Sequence, residues 1–142
     1  MVSTKWFQGI ENIETCMELR RKVFCEELKL DENSIKDAYD DFAFNVVVYE
    51  DDNPVGTGRL LFKDGRYFID KICVLEEFRS RNYGNLIIRM LVRKAVTIGA
   101  KQTYSCVDEK HIGLFEKVGF VKSAREESRC IIMVKEGDVG GC

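Results

Sequence analysis

The spacing of apolar and polar residues along the chain predicts a mixed α/β structure. Residues 2–8 predict a short first strand. Apolar residues then recur near the helical period between Ile13 and Leu28, which predicts an amphipathic helix. After an acidic stretch, DENSIKDAYDD, that predicts a loop, come three apolar runs, FNVVVYE, VGTGRLLFK and YFIDKICVL. The turn sequences DDNP and KDGR separate these runs, so we expect an antiparallel meander of strands.

In the second half of the chain the sequence predicts helices and strands in alternation. LIIRMLVRKAVTIGA predicts a helix that ends at Gly99, and DEKHIGLFEKV predicts another that ends at Gly119. Between them KQTYSCV predicts a short strand, and FVKSAREESRCIIMVKE predicts two more strands with a polar turn near Glu126. The predicted order is β-α-β-β-β-α-β-α-β-β. It indicates a single domain over residues 1–142, with a mixed central β-sheet and helices on both faces.

The amino-acid composition and net charge limit the classes of protein to which this chain can belong. The 142 residues are 45% hydrophobic and 32% charged, with a net charge of −2, which is typical of a globular domain. Such a charge provides no general attraction to nucleic acid. No apolar run approaches the ~18–20 residues of a membrane span, and the N-terminus lacks the apolar core of a secretory signal. We therefore expect a cytoplasmic protein with no membrane or nucleic-acid partner.

The cysteines suggest packing rather than metal binding. The 6 cysteines are scattered without a C-x-x-C pair, and the chain contains 1 histidine, His111, so no metal site is expected. Apolar neighbours surround Cys73 and Cys106, so both are predicted to be buried thiols, and a chain of this length needs no disulfide to fold. Cys142, in the tail GDVGGC, is where an exposed reactive thiol is expected.

A basic loop that contains glycine, EEFRSRNYGN, stands between a predicted strand and a predicted helix. The first turn of a helix presents unpaired N–H groups and the positive end of the helix dipole, which together bind phosphate. Arg79 and Arg81 add positive charge on the approach, and Gly84 permits close backbone contact. The chain contains neither G-x-x-x-x-G-K-[ST] nor a G-x-G-x-x-G after a strand, which excludes those phosphate loops.

Three segments together resemble the GNAT N-acetyltransferase superfamily, in particular its small bacterial members. The segment ICVLEEFRSRNYGNLIIRMLVRKAVTIGA is similar to the family's acetyl-CoA-binding core, whose R-x-x-G-x-G/A pattern falls on Arg79, Asn82 and Gly84. FEKVGF, which begins at Phe115, is similar to the family's Tyr-Glu-Lys-x-Gly-Phe segment. LRRKVFCEE followed by VGTGRLLF is similar to a subgroup of small bacterial GNAT proteins. The resemblance covers nearly the whole chain.

The resemblance implies acetyl-CoA as the acyl donor, with no metal. Ile72, Cys73 and Val74 would pair their backbone with the pantetheine arm, and an N–H near Val74 would stabilise the thioester oxyanion. The sheet would open beside this strand, toward the strand at 103–106, to admit the cofactor. Backbone amides of one loop would hold the pyrophosphate: Arg79, Ser80, Arg81, Asn82, Tyr83, Gly84 and Asn85.

The chain departs from the family pattern at two positions. Asn82 stands where the family usually has Gly, but Asn tolerates unusual backbone angles and also caps helices. Phe115, beside the expected cofactor, stands where many members carry a Tyr that protonates the departing thiolate. A thiol with a pKa of about 8.5 hardly needs an acid at neutral pH, so turnover is compatible with Phe115.

Several side chains are candidates for proton transfer. Asp70 is the first candidate for the general base, because it matches a position where many family members carry Glu. Tyr104 on the neighbouring strand is the candidate acid, and His111 has a suitable ordinary pKa. Four carboxylates are candidates for an acidic mouth that would attract a cationic amine: Glu26, Glu27, Asp37 and Asp40.

The sequence thus predicts an N-acetyltransferase that moves an acetyl group from acetyl-CoA to a primary amine of a small molecule or peptide. The amine would attack directly in a ternary complex, without an acyl-cysteine. Two alternatives stay open: a CoA-binding module with little turnover, which Phe115 favours, and an acyltransferase like the acyl-homoserine-lactone synthases, which RRKVF and DAYDD resemble. Exposed strand edges permit a homodimer.

Overall fold

A mixed β-sheet of 7 strands forms the centre of the molecule in the computed structural model, which describes residues 1–127 and 130–140. In chain order the strands are β1 (Val2–Gln8), β2 (Phe44–Glu50), β3 (Asn53–Lys63), β4 (Arg66–Val74), β5 (Gln102–Val107), β6 (Val121–Glu127) and β7 (Cys130–Glu136). Their spatial order is β1-β2-β3-β4-β5-β7-β6. The predicted element order and fold class are both confirmed.

The helices are α1 (Ile13–Arg20), α2 (Tyr83–Thr97) and α3 (Ile112–Val118). Where the sequence predicts one continuous first helix, α1 continues into a π-helix over Arg21–Glu27. Val23 of this segment packs in the core beside the sheet, and π turns are frequent at functional sites. Short 3₁₀ turns occupy four connections: Glu32–Ser34, Ala38–Asp41, Glu76–Phe78 and Glu109–His111.

Strands β1 to β4 form a continuous antiparallel meander. The turn between β3 and β4 has positive φ at both Asp64 (53°) and Gly65 (78°), as the Asp-Gly sequence predicts for a tight hairpin. At Gly58 a Cβ would lie 2.6 Å from Cγ2 of Ile87, so glycine lets α2 pack directly against β3.

The sheet opens between β4 and β5, as the resemblance implies. These parallel strands are paired only at their beginnings, through Tyr67–Thr103 and Phe68–Tyr104. One further hydrogen bond joins the two strands: Oγ of Ser105 donates to the carbonyl of Ile69 at 2.8 Å. Beyond it the strands diverge, and a cleft separates residues 70–74 from residues 105–107.

Each face of the sheet carries its own core. Helices α2 and α3 cover one face, where Ile87, Ile88 and Leu91 are fully buried. Helix α1 covers the other face, where Cys16 and Leu19 pack near Cys73 of β4. Within the described residues, no helix combines the length and the apolar character that a membrane crossing requires.

Two cysteines differ from the prediction. Cys106 is exposed and forms a disulfide with Cys130, which links β5 to β7. Alternate β5 residues, Thr103, Ser105 and Val107, are buried, so Cys106 lies on the opposite, open side of the strand. The prediction that Cys106 is a buried thiol, which was made from its apolar neighbours in the sequence, is therefore wrong.

The remaining cysteines follow the prediction where the structure describes them. Cys16 and Cys73 are buried free thiols, and Cys25 is half-buried. Cys142, predicted to be exposed, lies outside the described residues.

Candidate functional site

A cavity of about 640 Å³ occupies the cleft between β4 and β5. One wall is the end of β4 together with the loop that leads into α2, and the other is β5 with the residues that follow it. The π-helical segment closes one end. Every residue predicted to hold the cofactor, Phe115 included, lines this cavity except Arg81.

The β4 wall carries backbone groups that are not paired with β5. Ile72 and Val74 line the cavity, and β4 has no β5 partner at these residues in the described pairing. A bulge precedes them, because Lys71 and Ile72 together oppose Gly58 alone, and Lys71 has a positive φ of 50°. An unpaired strand edge of this kind can hydrogen-bond an extended ligand that carries amide groups.

The loop before α2 and the first turn of that helix form the rest of this wall. Ser80 (φ 68°) and Asn82 (φ 64°) both adopt the left-handed conformation, which confirms that Asn82 provides the backbone angle usually supplied by glycine. The Asn82 side chain makes no capping hydrogen bond, so that part of the expectation is not met. The first-turn amides of Tyr83, Gly84 and Asn85 have no partner within the helix, and these residues line the cavity. Their arrangement can bind an anion.

The loop arginines are not free positive charges, contrary to expectation. Nη1 and Nη2 of Arg79 each lie 2.6 Å from a carboxylate oxygen of Glu27, and its Nε donates to the carbonyl of Val74 at 3.0 Å. The hydrogen bond from Arg79 holds the pKa of Glu27 below its ordinary value. Arg81 is paired with Glu50 at 2.6 Å and does not line the cavity. Phosphate binding here would therefore depend on backbone amides.

A buried charge cluster lies beside the other end of the cleft. Arg59, 1% exposed, donates from Nε and Nη2 to both carboxylate oxygens of Asp70 at 2.8 Å, and from Nη1 to Asp37 at 2.6 Å. Nη1 of Arg59 also lies 3.2 Å from Asp40, whose carboxylate is 3.0 Å from the fully buried Arg20. Burial alone would lower the pKa of Arg59, but the hydrogen bonds to Asp70 and Asp37 outweigh it, and the pKa is raised. Two guanidinium groups face three carboxylates, and the ammonium of Lys71 also interacts electrostatically with Asp37 and Asp70, so the formal charges of the cluster balance.

The expected acidic mouth is not present in the described part of the chain. Glu26 lines a separate hollow on the outside of the first helix, and Asp37 and Asp40 do not line the cavity. Glu27 and Asp70 do line it, but each is paired with an arginine. These carboxylates are neutralised because the chain brings arginines from distant positions against them.

The surface that replaces the acidic mouth is mostly apolar. Phe24, Leu28 and Leu30 line this end of the cavity. Lys71 also lines it, and its ammonium donates to the carbonyl of Ser34 at 2.6 Å. Burial lowers the pKa of Lys71. This end therefore suits an acceptor with an apolar part better than a polycation.

The residues considered for the acid differ in whether they line the cavity. Tyr104 does not line the cavity: its hydroxyl donates to Gln102 at 2.8 Å, so its predicted contact with the reacting atoms is corrected. Phe115 does line the cavity, packed edge-to-face against Phe120. His111 lines it as well, with Nδ1 3.8 Å from Asp108.

Sequence reasoning missed two residues of this region. Arg59 stands in the middle of the apolar run VGTGRLLF, and a charged residue in a buried strand is the signal that it has partners. Lys71 gave no comparable signal, because its position depends on the bulge. Among the residues that the structure describes, no group of three or more His, Cys, Asp or Glu could hold a metal ion.

Comparison with known proteins identifies relatives of this architecture. Residues 9–120 match the model of the acetyltransferase (GNAT) family. The uncharacterized N-acetyltransferase YjcF of Bacillus subtilis is 28% identical over 110 residues, which are 78% of this chain and 79% of that protein.

Solved structures have the same fold at low sequence identity. Escherichia coli ElaA has a TM-score of 0.82 at 17% identity, covering 96% of this chain and 100% of that one. An acyl-CoA N-acyltransferase from Pseudomonas aeruginosa has a TM-score of 0.81 at 16% identity, covering 95% and 99%. The PaiA N-acetyltransferase of Thermoplasma acidophilum, solved in complex with coenzyme A, has a TM-score of 0.72 at 14% identity, covering 94% and 99%.

Proposed function

The chain belongs to the GNAT acetyltransferase family, and from that premise we propose that it transfers an acetyl group from acetyl-CoA to a primary amine of a small molecule or peptide. The observation that carries the proposal is the cleft itself. It joins an unpaired strand edge at Ile72–Val74 to a helix N-terminus with free amides at residues 83–85. An extended chain of amides that ends in a pyrophosphate fits both features at once.

In this proposal the cofactor lies along the cleft. The pantetheine amides pair with Ile72, Cys73 and Val74, and the pyrophosphate lies against Ser80 and the first turn of α2. The thioester then lies beside the end of β4, where an N–H close to Val74 stabilises the developing oxyanion. The complex of the PaiA neighbour with coenzyme A supports this choice of ligand.

The chemistry follows from direct attack in a ternary complex. The neutral amine forms a C–N bond to the thioester carbon, the C–S bond breaks, and the thiolate of CoA leaves. A thiol with an ordinary pKa of about 8.5 is an adequate leaving group, so Phe115 in place of an acid is compatible with turnover. Positioning of the two substrates supplies much of the rate.

The proton released by the amine is assigned to Asp70. This carboxylate lines the cavity, and although Arg59 occupies one lone pair on each oxygen, others remain for a water or the amine. Arg59 orients the carboxylate, which accepts the proton from the amine directly or through a water.

Calorimetric titration followed by acetylation assays on a panel of amines tests the proposal. We expect acetyl-CoA to bind and ATP not to compete. We expect Asp70→Asn to lower kcat/KM by about 10²- to 10⁴-fold with the Kd for acetyl-CoA unchanged. Full activity of Asp70→Asn would remove Asp70 from the mechanism, and absence of binding would overturn the cofactor assignment.

Phe115 favours a second candidate, a CoA-binding module with little turnover. Binding of acetyl-CoA without acetylation of any amine would establish it. Phe115→Tyr then becomes informative, because a gain of turnover in this variant would show that the missing hydroxyl limits the reaction.

A further inference from the structure

The disulfide between Cys106 and Cys130 lies directly beside the cleft. Cys106 is exposed and lines the same cavity as Ile72 and Val74 on the facing strand. Among the described residues, Cys73 is the other cysteine that lines this cavity. A sulfur–sulfur bond is therefore accessible from a cleft in which, under the proposed function, a thiol is the product.

The strand order places the cleft and Cys130 on opposite sides of β5. The cleft lies on the β4 side of β5, whereas Cys130 lies on β7, on the opposite side of β5. A thiol in the cleft approaches Cys106 from the side opposite to Cys130. Displacement at a disulfide sulfur requires this arrangement, with the attacking and departing sulfurs on opposite sides of the sulfur that is attacked.

We propose that Cys106 is a modification site for the thiol of coenzyme A, formed by exchange with the Cys106–Cys130 disulfide. The CoA thiolate attacks Sγ of Cys106 and forms a new S–S bond. The bond to Cys130 breaks, and Cys130 leaves as a thiolate that takes a proton from water. One disulfide replaces another, so no outside oxidant is needed. The inference rests on CoA binding in the cleft under the proposed function.

Cys73 is an internal control for selectivity. It lines the same cavity, but it is 5% exposed and has no disulfide partner that a thiol could displace. Burial raises the pKa of Cys73 to about 12, so it is also a poor nucleophile. Reduced CoA can form a disulfide without an oxidant only at a sulfur that is already oxidised, so the proposed exchange modifies Cys106 and leaves the Cys73 thiol unmodified.

Exchange with bound CoA is expected to be faster than exchange with a thiol that does not bind. Holding the nucleophile in the cleft raises its effective concentration. The resulting CoA adduct occupies the cleft, so it excludes acetyl-CoA until another thiol removes it.

The test compares CoA with cysteamine, which has the same terminal thiol without the nucleotide. The oxidised full-length protein is incubated with equal concentrations of each, and intact mass and peptide mapping follow the adduct. We expect CoA to modify Cys106 at least about tenfold faster than cysteamine, consistent with a bound nucleophile. An excess of desulfo-CoA, which binds without a thiol, should suppress the difference.

Two variants assign the attacked sulfur. Cys130→Ser leaves Cys106 as a free thiol, which should form the same adduct when the protein is treated with CoA disulfide. Cys106→Ser should form no adduct in the cleft under the same treatment.

The outcomes separate this inference from the proposed function. Binding of desulfo-CoA together with equal rates for CoA and cysteamine would overturn the modification site and leave the cofactor assignment intact. An adduct on Cys73, Cys25 or Cys130 in place of Cys106 would also overturn it. Failure of desulfo-CoA to bind would overturn both.

Discussion

The two halves of the sheet, on either side of the cleft, are held together by different means. The half that contains β1 to β4 is a continuous antiparallel meander, and the buried Arg59 of β3 forms ion pairs with Asp37 and Asp70. The half that contains β5, β7 and β6 has no strand as long as β3 or β4 in the described residues, and a disulfide links β5 to β7. The core around α2 includes residues from both halves, such as Ile69 and Met133.

This difference explains how a sheet can open in its middle. Among the described residues, the backbone pairing of β4 with β5 ends at Phe68–Tyr104, and the hydrogen bond from Ser105 to the carbonyl of Ile69 is the last link before the cleft. Each half must therefore keep its shape at the cleft by its own contacts. Arg59 does this on the β4 side through Asp70, and Cys106 does it on the β5 side through Cys130.

The largest effect is expected from Arg59→Met, which removes the cation from the β4 side. Asp37, Asp40 and Asp70 would lose this partner, and breaking a buried pair by removing one member typically costs about 3–5 kcal/mol. Urea denaturation, followed by the fluorescence of Trp6 and by circular dichroism, measures the free energy of unfolding.

Arg93→Met is the matched control for this prediction. Arg93 is 60% exposed and pairs with Asp138 at 3.6 Å, so its loss should change stability by no more than about 0.5 kcal/mol. Equal losses for the Arg59 and Arg93 variants would show that the buried cluster does not stabilise this half.

A smaller effect is expected from removal of the disulfide on the β5 side. The bond spans a sequence separation of 24 residues, for which restriction of the unfolded chain contributes about 3 kcal/mol. We expect the double variant Cys106→Ser, Cys130→Ser to lose that stability and to exchange the amide hydrogens of β5 and β7 faster.

Cys25→Ser provides the comparison, because Cys25 is a half-buried free thiol in the other half. If the double variant is as stable as Cys25→Ser, or if its faster hydrogen exchange appears in β1 to β3 instead, the disulfide does not hold the β5 half.

The smallest effect concerns pH. Burial alone would raise the pKa of Asp37, but hydrogen bonds from Arg59 outweigh it, and the pKa is lowered. The folded pKa lies below the unfolded value of about 3.9, so this stabilisation is present above that value and is lost as pH falls through the folded pKa. We expect the wild type to exceed Asp37→Asn in urea midpoint at pH 7, with the gap narrowing below about pH 4.

Asp64→Asn is the control, because Asp64 is an exposed turn residue with no ion pair in the described part of the chain. A gap between wild type and Asp37→Asn that stayed constant with pH would contradict the assignment to this ion pair.

The fold was more predictable than the site because its signals are local. The short apolar run FNVVVYE and the Asp-Gly turn at residues 64–65 specify strands and hairpins over a few residues. The first helix was predicted less accurately, because its continuation over Arg21–Glu27 is a π-helix, whereas the predicted helix end at Gly119 agrees with the structure.

The site was predictable where it depends on the backbone of one segment. The loop at 79–85 and the strand end at 72–74 line the cleft as predicted, because consecutive residues place their own amides. The side-chain chemistry was less predictable. Tyr104 and Arg81 lie in the expected segments but do not line the cavity, because Gln102 and Glu50 hold their polar groups elsewhere.

The sequence by itself determined the order of the elements, the family resemblance and the backbone positions that can hold a cofactor, because each depends on residues close together in the chain. Only the tertiary structure decided which charges and sulfurs meet. Arg59 neutralises Asp37 across a separation of 22 residues, and Cys106 meets Cys130 across 24. Such partners come together only where distant strands align, and charge pairing and disulfide bonding depend on distance in space, which no local pattern records.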